Sequence, residues 1–250
     1  MDTAVSTRAD TGGYRSNLEA LRRAQKPSRG TAAYGRYVNR PLGRRVAAAG
    51  ALVGLTPNAA TAVSAALSAS GILLLALLHP SWFAGLLVAF LLAAGYVMDS
   101  VDGQLARLTG RGSVQGEWLD HTVDCVKTSS LHLAVAIAWY RFPPAEDRAI
   151  LLIPLGFSVI QATTYFGLIL MPFLREKAAP DAPKPESGDE HPLRKWLILP
   201  TDYGFLCWAF VLIGWPDVYF VVYTALFALS GAMLILALRK WWRELGMLRT

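Results

Sequence analysis

The sequence predicts an all-α integral membrane protein: six transmembrane helices preceded by an amphipathic helix in the membrane interface. Three observations carry this expectation. The chain of 250 residues is 54% hydrophobic and only 17% charged, too apolar for an ordinary soluble domain. Its apolar residues fall in runs of about twenty, the length a helix needs to cross a bilayer. Its basic residues collect in alternate connecting segments, as they do in multi-pass proteins.

Taken in order, residues 1–30 mix Arg, Ser, Thr, Gly and Asp and read as a flexible basic cytoplasmic tail, with helical character near Asn17–Gln25. They contain no apolar stretch of the signal-peptide kind, so the helices themselves are expected to hold the protein in the membrane. Residues 31–55 read as the interfacial amphipathic helix. Tyr34, Tyr37, Val38, Leu42, Val46 and Ala49 recur at helical spacing, while Arg36, Arg40, Arg44 and Arg45 fill other positions. Pro41 is expected to bend or restart this helix.

Residues 56–238 read as a six-helix transmembrane catalytic domain. Thr56 suits the N-cap of the first span and Pro57 its first helical position. That span runs to Leu78, and His79-Pro80-Ser81 makes a turn. The second span begins near Trp82 and runs toward Arg107; Leu108–Ser113 is a short loop; the third runs from Val114 to Tyr140. Arg141–Arg148 is a polar loop, Ala149–Leu174 the fourth span, and Arg175–Lys195 a solvated loop rich in Pro and charge. Trp196–Ile213 is the fifth span, Trp215-Pro216-Asp217 a turn, and Val218–Leu238 the sixth. Residues 239–250 form a basic cytoplasmic tail. Ten Lys and Arg lie in the segment through Arg45, two in the loop holding Arg107 and Arg111, five from Arg175 to Lys195 and four from Arg239 onward, against Arg141 and Arg148 alone on the other side. Basic loops stay inside, so both termini are expected in the cytoplasm of a multi-pass cell-membrane protein.

The net charge of +6 and pI of about 9.5 would suggest nucleic acid for a soluble protein. Beside apolar runs they point to anionic lipid headgroups and to no nucleic-acid partner. Cys125 and Cys207 lie in apolar segments, fit neither a disulfide framework nor a zinc site, and read as small apolar fillers.

The stretch from Asp99 to Asp124 departs from this pattern. Asp99 and Asp102 share a helix face, as do Asp120 and Asp124, and a short loop joins the two helices at their cytoplasmic ends. An antiparallel pair can point all four carboxylates at one place. Such a cluster needs cations, and carboxylate oxygens suit hard ions such as Mg²⁺, Mn²⁺ or Ca²⁺. Two ions held by four carboxylates form a clamp for displacement at phosphorus. Gly103, Ala106, Gly110, Gly112 and Gly116 leave room for a ligand, and Arg107 offers a fork that matches phosphate oxygens. No GxGxxG or GxxxxGK[ST] pattern is present. Lys127, three residues beyond Asp124, either balances the carboxylates or touches acceptor phosphate. Asp202, at the cytoplasmic end of the fifth span, suits a cap or the interface better than a binding role.

The spacing Asp99-x-x-Asp102-Gly103-x-x-Ala106-Arg107-x₈-Gly116-x₃-Asp120-x₃-Asp124 resembles the signature of the CDP-alcohol phosphotransferase (CDP-alcohol phosphatidyltransferase) family, with every interval met. Pro57-Asn58-x-x-Thr61 resembles the entry to the first helix in many members. The resemblance implies an enzyme that transfers a phosphate-linked alcohol from a CDP-alcohol such as CDP-diacylglycerol to an acceptor hydroxyl and releases CMP, in phospholipid biosynthesis. It implies that Asp99, Asp102, Asp120 and Asp124 hold two Mg²⁺ or Mn²⁺ ions and that Asp124 also serves as the base. It places Asn58, Thr61, Gly103, Ala106, Arg107 and Gly116 in the CDP pocket. Members are commonly homodimers.

A non-lipid donor such as CDP-inositol fits the same chemistry. A transporter with intramembrane aspartates is the distant alternative, and it would place its site near the midplane. A scaffold without catalysis has no use for four aspartates.

Overall fold

Three hydroxyl side chains start the three helices that carry the site. Thr56 Oγ1 accepts the Ala59 N–H at 3.2 Å, Ser81 Oγ that of Ala84 at 3.1 Å, and Ser113 Oγ that of Gly116 at 3.0 Å. Each cap lies where the sequence puts a span boundary. The computed structural model describes residues 12–25, 32–178 and 198–247, and these contain no strand.

The described elements are α1 (Tyr14–Arg23), α2 (Arg40–Leu52, entered through a π-turn at Gly35–Asn39), α3 (Pro57–Leu77), α4 (Trp82–Thr109) and α5 (Val114–Arg141). After a 3₁₀ turn at Arg148–Leu151 come α6 (Leu152–Ala178), α7 (Tyr203–Ala209, continued as 3₁₀ through Phe210–Gly214) and α8 (Pro216–Met247). The π-turn has a local cause. Pro41 has no N–H to continue the α ladder, and the chain widens by one residue just before it.

Four stretches are long and apolar enough to cross a membrane: Pro57–Leu77, Trp82–Thr109, Arg148–Ala178 and Pro216–Met247. The other two predicted spans differ from these. Helix α5 has 28 residues, ample for a crossing, but Asp120, Asp124 and Lys127 interrupt its apolar sequence. The apolar helix Tyr203–Gly214 covers about 20 Å, short of a hydrocarbon core of about 30 Å. Trp196 and most of the Arg175–Lys195 loop lie outside the described residues.

Three boundaries also move. The helix expected near Asn17–Gln25 runs over residues 14–23 and is packed: Leu21 is fully buried and Asn17 Nδ2 donates to Ala48 O at 3.3 Å, so α1 lies on α2. Helix α6 continues to Ala178 and takes in Arg175. Helix α8 continues through residues 239–247, so the basic tail is helical this far. The Arg175 guanidinium grips both carboxylate oxygens of Glu244, at 2.5 and 2.9 Å, and ties these two extensions together.

Helix α2 buries a stripe of small residues, Gly43, Ala47, Ala48 and Ala51, and leaves Tyr37, Val38, Leu42 and Val46 exposed. Its inner face joins Ala60 of α3 and Val101 and Leu105 of α4 in one cluster. The larger core lies at the other end of the bundle. There Leu92, Leu131, Trp139, Phe157, Phe210 and Tyr223 pack together. His132 is buried within it, bonded to the Tyr223 hydroxyl at 2.7 Å and stacked on Phe157. Arg141 caps α3 by donating to Ala76 O and Leu77 O at 2.8 and 2.9 Å. Cys207 is buried as a filler should be, whereas Cys125 is exposed on α5; both are free thiols.

Helix α4 is held at the centre by small residues. Ser64 Oγ donates to Gly95 O at 2.8 Å, so α3 and α4 touch backbone to side chain. A Cβ at Gly85 would lie 2.7 Å from Phe210 O and 2.8 Å from Val211 O, and neither carbonyl can swing aside. Gly85→Ala is therefore expected to destabilise the protein by about 1–3 kcal/mol, read as a fall of several degrees in the unfolding midpoint in detergent. An unchanged midpoint would show that α4 is not wedged against the 3₁₀ segment.

Candidate active site

The site is built at the turn between α4 and α5. Gly110 closes α4 in the left-handed region (φ 65°), where a side chain would be strained, and Ser113 opens α5. The short connection turns the chain back on itself and sets Asp99 and Asp102 opposite Asp120 and Asp124. Asp99, Asp120 and Asp124 each bring a carboxylate oxygen within 4.8 Å of the others. Asp102 is held slightly apart: its Oδ2 accepts the Thr61 hydroxyl at 2.7 Å and its Oδ1 accepts the Gly103 N–H.

Lys127 lies between the two helices. Its Nζ is 2.9 Å from Asp99 Oδ1 and 2.5 Å from Asp124 Oδ1, and the side chain is only 6% exposed. The Tyr203 ring covers the ammonium at 5.3 Å. Lys127 is thus paired with two of the carboxylates. Asp202 proves to be a cap: it accepts the Gly204 N–H at 2.8 Å and the Gly35 N–H at 3.1 Å, joining α7 to the π-turn before α2.

Two polar cavities meet at the carboxylates. The first, about 470 Å³, is lined by all six residues expected around CDP: Gly103, Ala106, Arg107 and Gly116 of the signature, and Asn58 and Thr61 of the first-helix entry. Asp102 and Asp120 form its floor. Small residues make this space. A Cβ at Gly116 would lie 2.9 Å from Asn58 Oδ1, and one at Gly103 3.4 Å from an Arg107 guanidinium nitrogen. Arg107 Nε is buried with no hydrogen-bond partner among the described residues, a donor left over for a ligand. The second cavity, about 310 Å³, shares Asp102, Gly103, Arg107 and Asp120 with the first and adds Asp99, Asn39, Arg40 and Gln104. A third, apolar groove of about 580 Å³ runs between α3 and α5 and reaches Lys127.

Sequence reasoning did not single out Asn39, Gln104 or Tyr203. For Asn39 a signal existed: it stands four residues before Gly43 on the small-residue stripe of α2, where a polar side chain is out of place. For Tyr203 there was none, because its role depends on where α7 packs. His121 stays out of the carboxylate group, and its carbonyl accepts the Tyr165 hydroxyl at 2.8 Å.

A helical bundle with four membrane-length apolar helices thus sets clustered carboxylates beside a cavity of about 470 Å³, an arrangement suited to a membrane enzyme acting on a phosphate-bearing substrate. The sequence profile of the CDP-alcohol phosphatidyltransferase family matches residues 54–241, and the chain belongs to that family. It is similar to an archaetidylinositol phosphate synthase of Pyrococcus horikoshii, 32% identical over 102 residues. That match covers 40% of this chain and 50% of the relative, so the chain spans about half the length of the curated relative it matches.

The donor set fits a hard divalent cation: three carboxylates with converging oxygens and no soft ligand among them. Mn²⁺ or Mg²⁺ is accordingly expected to raise the unfolding midpoint. At a hundred times its dissociation constant the gain is about 2.7 kcal/mol, or several degrees. Asp120→Asn is expected to remove most of that shift. An equal shift in wild type and variant would place the ion elsewhere.

Proposed function

We propose that the protein transfers a phosphate-linked alcohol, most simply phosphatidyl, from a CDP-alcohol to an acceptor hydroxyl and releases CMP, in phospholipid synthesis. The observation that carries this reading is the convergence of the six residues expected around CDP on one cavity that Asp102 and Asp120 also line. The printed name of the Pyrococcus relative, a synthase of an inositol phosphate lipid, agrees with it.

In this reading Asn58, Thr61, Gly116 and Arg107 hold the nucleotide, with the guanidinium against the diphosphate. Asp99, Asp102, Asp120 and Asp124 hold two Mg²⁺ or Mn²⁺ ions, which neutralise diphosphate charge and stabilise the leaving oxygen when bound. Thr61 fixes the orientation of Asp102 through its 2.7 Å hydrogen bond. Asp124 takes the proton of the acceptor hydroxyl. The acceptor oxygen then bonds to the phosphorus bearing the donor alcohol, the diphosphate P–O bond breaks, and CMP leaves. Lys127 keeps Asp99 and Asp124 close together.

The same proposal includes six crossings, with α5 and the α7 segment completing the four apolar helices, and α2 lying in the interface with Tyr37, Val38, Leu42 and Val46 toward lipid. The basic segments support placing both termini and the carboxylates on the cytoplasmic side. Domain limits follow the sequence reading, with the catalytic bundle at 56–238, and the family resemblance supports a homodimer.

The test is CMP release by the purified protein from CDP-diacylglycerol with Mn²⁺ or Mg²⁺ and a panel of alcohols. Asp124→Asn is expected to lower turnover about a hundredfold or more while CDP affinity stays within about threefold. Turnover retained in that variant would remove Asp124 from the role of base, and no CMP from any CDP-alcohol would sink the reading.

A further inference from the structure

Helix α5 is packed unevenly along its length. Its buried residues begin at Lys127 and continue through Leu131, His132, Val135 and Trp139, whereas no residue from Val114 to Val126 is buried. Asp120 and Asp124 lie in that open half. Their partners on α4 are better held: Val101 and Leu105, on either side of Asp102, are fully buried, and α4 is wedged at the centre of the bundle. Apolar packing within the chain therefore places one pair of carboxylates and leaves the other to a few polar contacts.

Those contacts can be named. Gly116 closes on Asn58, and Lys127 ties Asp124 to Asp99. The third comes from α6. The Tyr165 hydroxyl donates to His121 O at 2.8 Å and lies 3.4 Å from Nδ1 of the same residue. His121 directly follows Asp120 and stands three residues before Asp124, so this one hydroxyl holds the backbone of the turn that carries both carboxylates. Other hydroxyls of α6 are spent differently. Thr164 Oγ1 returns to Ile160 O of its own helix at 2.8 Å. Ser158 Oγ donates to Ser129 O at 2.9 Å, a bond of the same kind about two turns further along α5, where that helix is already buried.

Helix α6 is itself held from behind at this height. Trp241 of α8 packs on Gly167, two residues beyond Tyr165, and Arg175 grips Glu244. A hydroxyl carried by a braced helix can fix the height and rotation of a loosely packed one. We propose that Tyr165 is a positioning residue for the acidic group: its hydrogen bond to the His121 carbonyl sets α5 so that Asp120 and Asp124 converge with Asp99. It acts through the α5 backbone and stands outside the signature. The assignment rests on the CDP-alcohol reading above only in the activity arm of its test.

The full chain in detergent is titrated with Mn²⁺ and followed by its unfolding midpoint, for wild type, Tyr165→Phe and Ser158→Ala. Each variant loses one hydroxyl bonded to an α5 carbonyl, so a general loosening of the α5–α6 contact affects both alike. Partners that orient metal ligands are typically worth about 10–100-fold in metal affinity, so Tyr165→Phe is expected to raise the Mn²⁺ dissociation constant about tenfold. Ser158→Ala is expected to stay within about twofold of wild type. Tyr165→His, which keeps a ring N–H in place of the hydroxyl, serves as the second variant and is expected to fall between Tyr165→Phe and wild type. CMP release from CDP-diacylglycerol at saturating Mn²⁺ is expected to show a kcat about tenfold lower in Tyr165→Phe and unchanged in Ser158→Ala. Equal Mn²⁺ affinity in Tyr165→Phe and wild type would overturn the assignment. So would equal weakening in Tyr165→Phe and Ser158→Ala, which would make Tyr165 an ordinary tie between helices. The titration needs no turnover, so absence of CMP release by wild type defeats the functional reading alone, and the Mn²⁺ affinities still decide the role of Tyr165.

Discussion

The structure depends on one buried ammonium. Lys127 meets Asp99 across the α4–α5 interface and Asp124 on its own helix, at 2.9 and 2.5 Å. Carboxylates brought together in an apolar bundle repel, and each loses hydration that water would supply. Lys127 removes both difficulties at once, and the Tyr203 ring shields it from the other side. Breaking a buried pair of this kind typically costs about 3–5 kcal/mol, because the partner charge is left uncompensated. The acid cluster can therefore exist at the end of a membrane-type bundle before any ion or substrate arrives.

From that point the architecture follows from small residues and turns. Gly110 and Ser113 reverse the chain within a few residues, so two helices that would otherwise be ordinary spans present their polar ends to each other. Gly103, Ala106 and Gly116 then hollow out one side of the carboxylates, and the entry to α3 supplies Asn58 and Thr61. On the other side Asn39 and Arg40, at the π-turn before α2, line a second cavity together with Asp99. The outcome is one acidic wall shared by two polar chambers. A reaction that joins two substrates at a phosphorus atom needs such an arrangement, with each substrate in its own space and the charge between them.

Local signals carried much of this into the sequence. Thr56 caps the helix it was expected to cap, and Ser81 and Ser113 cap helices that begin where the spans were expected to begin, because capping is decided by a side chain and the next three backbone amides. The carboxylates converge because spacings of three and four fix a helix face regardless of distant contacts. Where the outcome depends on partners far along the chain, the sequence was silent or misled. Leu21 is buried because α2 happens to lie beneath it, which a tail rich in Arg and Ser does not announce. Residues 239–247 stay helical because Glu244 finds Arg175 and Trp241 packs on Gly167. The fifth apolar segment ends at Gly214, one residue past the expected Ile213, but its last turns wind as 3₁₀ rather than α. Asn39 was legible as one polar residue on a stripe of glycine and alanine, but its unmatched oxygen belongs to tertiary structure alone.

The central claim is that the Asp99–Asp120–Asp124 group holds the divalent ions and stands between the two chambers. Anomalous scattering from crystals grown with Mn²⁺ and CDP tests it most directly. The account predicts manganese peaks among these carboxylates, with the cytidine diphosphate in the chamber lined by Asn58 and Gly116 and none of it beside Asn39. Manganese bound away from the three aspartates, or nucleotide occupying the Asn39 chamber, would contradict it.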